Sequence, residues 1–249
     1  MGDQAVLKAL VLAGCGSRRA MTEAIDAKRV TVNNITVSSY TQHFDNSSEC
    51  LRLDGKTINK APPTVYLLIN KPIGILCSTK DTHGRRTVLD LLPHKLRHPS
   101  LHIVGRLDMD SCGLILVTND GALTNILTHP RFEIEKTYTV ELDRELSHTD
   151  QKHFEKGILL SDGLTSTARI EKHTFQEKTY LVTLREGRKR QIRRMFAVLG
   201  YSVSKLQRIR EAHLDLGDLP CGDYRLLTKE EVSLLKTSVL PRVTHYTMA

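Results

Sequence analysis

The chain has no tryptophan, 5 cysteines and 8 prolines in 249 residues, and aromatic side chains make up 5% of it. The cysteines (Cys15, Cys50, Cys77, Cys112, Cys221) are odd in number, far apart and never in a C-x-x-C pair. That usage argues against a disulfide framework and against a zinc site. No run approaches the ~20 apolar residues that span a bilayer, so no membrane partner is expected. A P-loop and a G-x-S-x-G elbow are also missing, which removes two common classes of phosphate and acyl chemistry. The stretch from Val6 to Ala13 is apolar except for Lys8, but it runs into Gly-Ser-Arg-Arg without a small-residue cleavage site. It reads as a helix rather than a secretion signal, and a cytoplasmic protein is expected.

What is there is a globular composition, 40% hydrophobic and 26% charged, enough for one or two domains. Lys and Arg number 36 against 28 Asp and Glu. From Arg185 to Arg210 there are nine basic residues (Arg185, Arg188, Lys189, Arg190, Arg193, Arg194, Lys205, Arg208, Arg210) and one acid, Glu186, so this segment carries the equivalent of the whole surplus. Neutralising phosphates needs local charge density, which makes nucleic acid the first partner to consider; a solvated surface would look the same.

Residues 1–60 read as a small unit. Val6, Leu7, Leu10, Val11 and Ala13 fit one helical face, and Gly14-Cys15-Gly16 interrupts it. Ser17 is placed to cap a second helix with Ala20, Met21, Ala24 and Ile25 inward and Arg18, Arg19, Lys28 and Arg29 outward. Val30-Thr-Val32, Asn33-Asn34 and Ile35-Thr-Val37 form a strand, a turn pair and a second strand. Lys60-Ala-Pro-Pro63 is the linker.

Residues 61–236 then alternate. Strands are expected near 65–70, 101–104, 114–118, 137–142, 167–170 and 180–184. Short helices or turns are expected at 87–92, 122–128 and 150–156, with a basic amphipathic helix from Lys189 to Leu199 that buries Ile192, Met195, Phe196 and Leu199. The class is α+β: a helix-helix-hairpin unit, then a mixed, largely antiparallel-sheet domain, then a tail at 237–249.

Among candidate sites, Gly14-Cys15-Gly16 lacks a preceding strand and has Arg19 at the third glycine position, so it is not a dinucleotide loop. His94, His98 and His102 would share a helical face, but Pro99 denies that helix and no metal is expected. Val104-Gly-Arg-Leu-Asp-Met-Asp-Ser-Cys-Gly113 places Asp108 and Asp110 two apart. In an extended chain they would point to opposite sides, unlike a paired-carboxylate site, and a carboxylate between strands is most often a turn former.

Gly105-Arg-Leu-Asp108, with Asp110-Ser111, Gly113-Leu114 and Thr118-Asn-Asp-Gly121, resembles the central motif of bacterial ribosomal-RNA pseudouridine synthases of the RsuA/RluB type. Asn70-Lys-Pro-Ile-Gly74, Glu135-Lys-Thr-Tyr138 and Glu186-Gly-Arg-Lys-Arg-Gln-Ile-Arg-Arg-Met195 resemble further motifs of that family in its order. Gly16-Ser-Arg-Arg19 and Val30-Thr-Val-Asn33 resemble the RNA-binding module named after ribosomal protein S-four.

The resemblance implies isomerisation of a uridine in ribosomal RNA, more in keeping with the large subunit, without cofactor or metal, by a monomer acting on RNA or an assembling subunit. It implies that Asp108 is the catalytic aspartate, that Arg193 pairs with it, and that Tyr138 stacks on the flipped base and helps remove the carbon-five proton. Arg106 would hold the nucleotide out of the stack, and Asp110 and Ser111 would hold the turn. Arg18, Arg19, Lys28, Arg188, Arg190 and Arg194 are expected to contact RNA. A non-catalytic RNA-binding or ribosome-assembly protein, or a transfer-RNA synthase, are the alternatives. After Arg208-Ile-Arg210 the family commonly continues with an apolar residue and Gly, whereas this chain has Glu211-Ala212.

Overall fold

The computed structural model describes residues 3–59, 61–79 and 81–237. Lys60 of the expected linker and residues 238–249 of the expected tail lie outside them. The chain divides into two compact units, Met1–Thr64 with Pro93–His102, and Val65–Leu92 with Ile103–Ala249. Segment 93–102, placed by sequence with the second domain, thus groups with the first.

In the first unit, β1 (Asp3–Ala5) leads into α1 (Val6–Leu12), and α2 (Arg18–Asp26) follows the glycine interruption. Ser17 caps α2 by accepting a hydrogen bond from the Ala20 N–H at 3.2 Å. Met21, Ala24 and Ile25 are buried on an i, i+3, i+4 stripe, but Ala20 is exposed, because the first turn of α2 projects beyond the core. β2 (Val30–Val32) and β3 (Ile35–Thr36) form the expected hairpin. Asn33 and Asn34 both take positive φ (49° and 67°), the requirement of a two-residue turn whose twist matches its strands. β4 (His43–Asp45) pairs with β1, while β5 (Leu51–Leu53) and β6 (Lys56–Thr57) complete a four-stranded sheet in the order β3-β2-β5-β6.

The second unit is built on a nine-stranded sheet. Its elements are β7 (Tyr66–Lys71), β8 (His102–Val104), β9 (Cys112–Thr118), α3 (Gly121–Thr128), β10 (Lys136–Leu142), α4 (His148–Lys156), the β11 (Leu159–Leu160) and β12 (Gly163–Leu164) hairpin, β13 (Arg169–Lys172), β14 (Thr179–Leu184), α5 (Gln191–Val198), β15 (Val203–Glu211), β16 (Leu214–Asp215), β17 (Tyr224–Leu226) and α6 (Lys229–Thr237). The strand order is β13-β14-β10-β15-β9-β7-β17, with β16 on β15 and β8 on β9. β15 runs parallel to β9, whereas β7, β10, β13, β14 and β17 pair antiparallel. This is the expected mixed, largely antiparallel sheet.

The face of the sheet bearing Val140, Ile170 and Val182 packs against α4 and α5, where Phe154 stacks on Phe196 with ring centroids 4.5 Å apart. α5 starts at Gln191, not at Lys189. Arg190 is left-handed (φ 51°, ψ 32°), and the Gln191 side chain accepts from the Arg188 N–H at 3.0 Å, so the chain turns before it coils. Leu199 lies just past the helix and is only partly buried.

The hairpin joining β15 to β16 turns through Ala212 at φ 53°, a left-handed backbone position that favours glycine. A left-handed alanine costs about 1–2 kcal/mol, and glycine returns roughly half of that gain as unfolded-state entropy. Ala212→Gly should therefore stabilise the protein by about 0.5–1 kcal/mol, read as an upward shift of the urea midpoint at constant slope.

Candidate active site

The turn between β8 and β9 carries the expected catalytic residue. Asp108 to Ser111 is not extended: the Ser111 N–H donates to the Asp108 carbonyl at 3.1 Å, so the opposite-sides reading of Asp108 and Asp110 does not apply. Two groups hold the turn from behind. Lys71, at the end of β7 and fully buried, donates from Nζ to the Pro72 and Ser111 carbonyls, both at 2.8 Å. The Leu107 N–H donates to the Cys77 sulfur at 3.3 Å. Burial pulls the Lys71 ammonium below its usual pKa and pushes the Cys77 thiol up. The neighbouring thiols, Asp110 and Asp108 act the other way on Lys71 and favour its charged form.

Asp108 is partly exposed and lines a cleft of about 230 Å³ together with Tyr138, Arg106, Arg190 and the loop from Glu186 to Lys189. Among the described residues, none is hydrogen-bonded or ion-paired to the Asp108 carboxylate. The expected Asp108–Arg193 pair is not formed. Arg193 directs Nε to Asp110 Oδ2 (3.3 Å), Nη2 to the Asp110 carbonyl (2.9 Å) and Nη1 to the Val203 carbonyl (2.7 Å). Arg190 adds a bidentate pair to the same carboxylate at 3.0 and 2.9 Å. The two arginines are three residues apart at the start of α5, and together they reach the outer end of the turn, where Asp110 lies. The Arg190 hydrogen bonds, aided by Arg193, hold the Asp110 carboxyl below the usual range. Asp110 thus does hold the turn, by tying it to α5.

Tyr138 projects from β10 into the cleft, and burial raises its phenol above the ordinary value. Arg208, its cross-strand neighbour on β15, opposes that shift. Arg208 is 2% exposed; its Nε donates to the Leu114 carbonyl at 2.7 Å and its Nη2 lies 3.3 Å from Glu211 Oε2. Arg208 was read from the sequence as one charge in a phosphate-binding run, and Glu211 as a departure from the family pattern. Neither reading anticipates a buried pair, and Lys71 was quoted only as part of a motif.

The basic run itself is largely neutralised within the fold. Arg188 spends its guanidinium on Glu186 and on the carbonyls of Asp162, Gly163 and Leu164, tying down the β11–β12 hairpin. Arg194 pairs with Asp162 at 3.0 Å, Arg185 with Glu135 at 2.8 Å, Lys205 with Glu141 at 2.8 Å and Arg210 with Asp215 at 2.5 Å. Arg190 and Arg194 are thus paired with carboxylates distant in sequence, and Arg188 with the nearby Glu186, so any RNA contact by these three would exchange an existing ion pair for a phosphate. Among the described residues, Arg106 and Lys189 are exposed with no side-chain hydrogen bond or ion pair, as are Arg18 and Lys28 in the first unit; Arg19 is paired with Glu23 at 3.3 Å but 92% exposed. No group of three His, Cys, Asp or Glu able to hold a metal occurs among the described residues, and His98 is bonded to Ser100 at 2.7 Å. No described helix is long and apolar enough to cross a membrane.

Comparison with known proteins agrees with the motif order. The family model described as RNA pseudouridylate synthase matches residues 65–198. Ribosomal large subunit pseudouridine synthase B of Bacillus subtilis (strain 168) is 35% identical over 92% of this chain and 94% of its own length. Ribosomal small subunit pseudouridine synthase A of Yersinia pestis is 35% identical over 87% of this chain and 92% of its own. A crystal structure of a pseudouridylate synthase superposes with a TM-score of 0.66 at 30% identity, covering 91% of this chain and 96% of the other. With the central motif folded around one cleft and both relatives matched over nearly their full length, the chain belongs to the RNA pseudouridylate synthase family.

Proposed function

We propose that this enzyme converts one uridine of ribosomal RNA to pseudouridine, with Asp108 as the catalytic carboxylate. The observation that carries the assignment is the convergence of Asp108 and Tyr138 on one cleft, with the unpaired Arg106 beside them. Isomerisation breaks the bond from C1′ to N1, forms one from C1′ to C5, and moves the C5 proton to solvent while N1 takes one up. The balance needs no cofactor.

The reaction requires the base outside the RNA stack, at a cost of a few kcal/mol. Tyr138 offers a ring to stack on it, and Arg106 a guanidinium for the phosphate or the vacated position. Asp108 then attacks C1′ or takes a ribose proton to give a glycal. Both routes need it ionised. Tyr138 helps remove the C5 proton. The helix-helix-hairpin unit supports RNA binding through Arg18, Arg19 and Lys28. A large-subunit target is favoured because the relative named for that subunit covers 92% of this chain against 87% for the small-subunit one.

The test uses unmodified ribosomal RNA carrying tritium at C5 of its uridines. Release of about one equivalent per large-subunit RNA, and none from small-subunit RNA, is the expected result. Release from the small subunit only would correct the target. Release from transfer RNA alone, or from no RNA free or in partly assembled subunits, would overturn the reading in favour of a transfer-RNA enzyme or a binding protein.

A further inference from the structure

Arg208 and Glu211 are three apart on β15, a spacing that puts side chains on opposite faces of a regular strand. Here both are buried, at 2% and 1% exposure, and their side chains meet. The cause is visible in the register. Tyr138 pairs with Arg208, but Thr137 pairs with Arg210, so Ile209 is an extra residue on β15. That bulge shifts the strand by one residue and turns Glu211 to the Arg208 side, while Arg210 faces outward to Asp215. Lys136, opposite Glu211 in the ladder, is 3.9 Å from its carboxylate. Neither oxygen of Glu211 has a hydrogen-bond donor in good geometry, and Arg208 Nη2 has no acceptor in good geometry. A buried charge pair that makes few hydrogen bonds is a poor device for stability. What the pair lies beside is the cleft tyrosine. Arg208 is the cross-strand partner of Tyr138 in the β10–β15 ladder, so the two side chains share a face, and its charge acts on that phenol, as does Asp108 from the turn before β9.

We propose that Arg208, its charge balanced by Glu211, is a positioning residue for Tyr138: it fixes the phenolic oxygen in the cleft from behind and sets the charge that oxygen meets. The inference rests on the proposed role of Tyr138 and extends it to two residues that do not touch substrate. The sequence of causes is local. The bulge turns Glu211 inward, Glu211 keeps the guanidinium compensated in a dry site, and the guanidinium holds the phenol.

The experiment follows the ring-carbon NMR signal of ¹³C-labelled Tyr138, assigned by its loss in Tyr138→Phe, through a pH titration without RNA. Glu211→Gln keeps the packing but leaves Arg208 uncompensated, so the Tyr138 titration should move to lower pH by about one unit, a tenfold change in the ionisation constant. In Arg208→Met/Glu211→Leu, where both charges are removed together so that neither is stranded, the lowering should be absent. Tritium release by that double variant should slow at least tenfold at unchanged RNA affinity. An unmoved Tyr138 titration in Glu211→Gln, or wild-type turnover in the double variant, would overturn the proposal. Because the titration is read without RNA, failure of the proposed reaction and failure of the positioning role are separable.

Discussion

Asp108→Ala should release no tritium from C5-labelled ribosomal RNA above background, while retaining RNA affinity within about twofold and stability within about 0.5 kcal/mol. The last two expectations follow from the geometry. No described side chain bonds or ion-pairs with the Asp108 carboxylate, so its removal strands no partner, and the backbone bond that closes the turn uses the Asp108 carbonyl, which alanine keeps. The size of the loss carries information about the chemistry. Removing a group that only moves a proton costs on the order of 10²–10⁴, and removing a nucleophile costs on the order of 10⁶. A residual rate in the lower range would favour proton abstraction from the ribose; its absence, attack on C1′. Asp110→Ala is the contrast. It strands Arg190 and Arg193, unties the turn from α5, and should lower stability and turnover together. If Asp108→Ala loses RNA binding in step with activity, the aspartate is structural and the assignment fails.

The contrast between these two aspartates marks where the sequence could be read and where it could not. Local features were legible because their physics is local. Asn33-Asn34 forces the hairpin by supplying two positive-φ residues, and Ser17 caps α2 because its oxygen reaches an N–H three residues on. The motifs brought Asp108, Tyr138 and Arg106 to one cleft as expected. The partner of Arg193 was not legible, because which of two carboxylates two residues apart meets a side chain over 80 residues later depends on the entry angle of α5. That angle is set by the left-handed Arg190.

The partners of the basic run were hidden for a related reason. Its charge is real, but the neutralising carboxylates Asp110, Glu135, Glu141, Asp162 and Asp215 are scattered along the chain and converge only through the sheet register. The inward turn of Glu211 depends on one extra residue in β15, which no side-chain periodicity announces.

Gly113→Ala should be the most destructive single methyl group that can be added near the site. Gly113 faces Arg208 in the parallel β9–β15 pair. A Cβ there would lie 2.2 Å from the Arg208 carbonyl oxygen and 2.7 Å from its nitrogen, both backbone atoms that no rotamer change can move, and φ is +103°. The strands would have to separate, breaking the contact that places Arg208 behind Tyr138. A cost above about 4 kcal/mol is expected, against a total stability of roughly 5–15 kcal/mol, so the variant should be largely unfolded or insoluble at 37 °C. Gly121→Ala is the control. Gly121 begins α3, a Cβ there meets nothing within 4 Å, and the same substitution should be neutral or stabilise by up to about 1 kcal/mol in urea unfolding. If Gly113→Ala instead folds with near-normal stability, β9 and β15 can part without loss and their approach is not what builds the cleft. If it folds but turns over RNA slowly, with the Tyr138 signal broadened, the approach matters to the site alone, and the close packing of these two strands serves catalysis more than the fold.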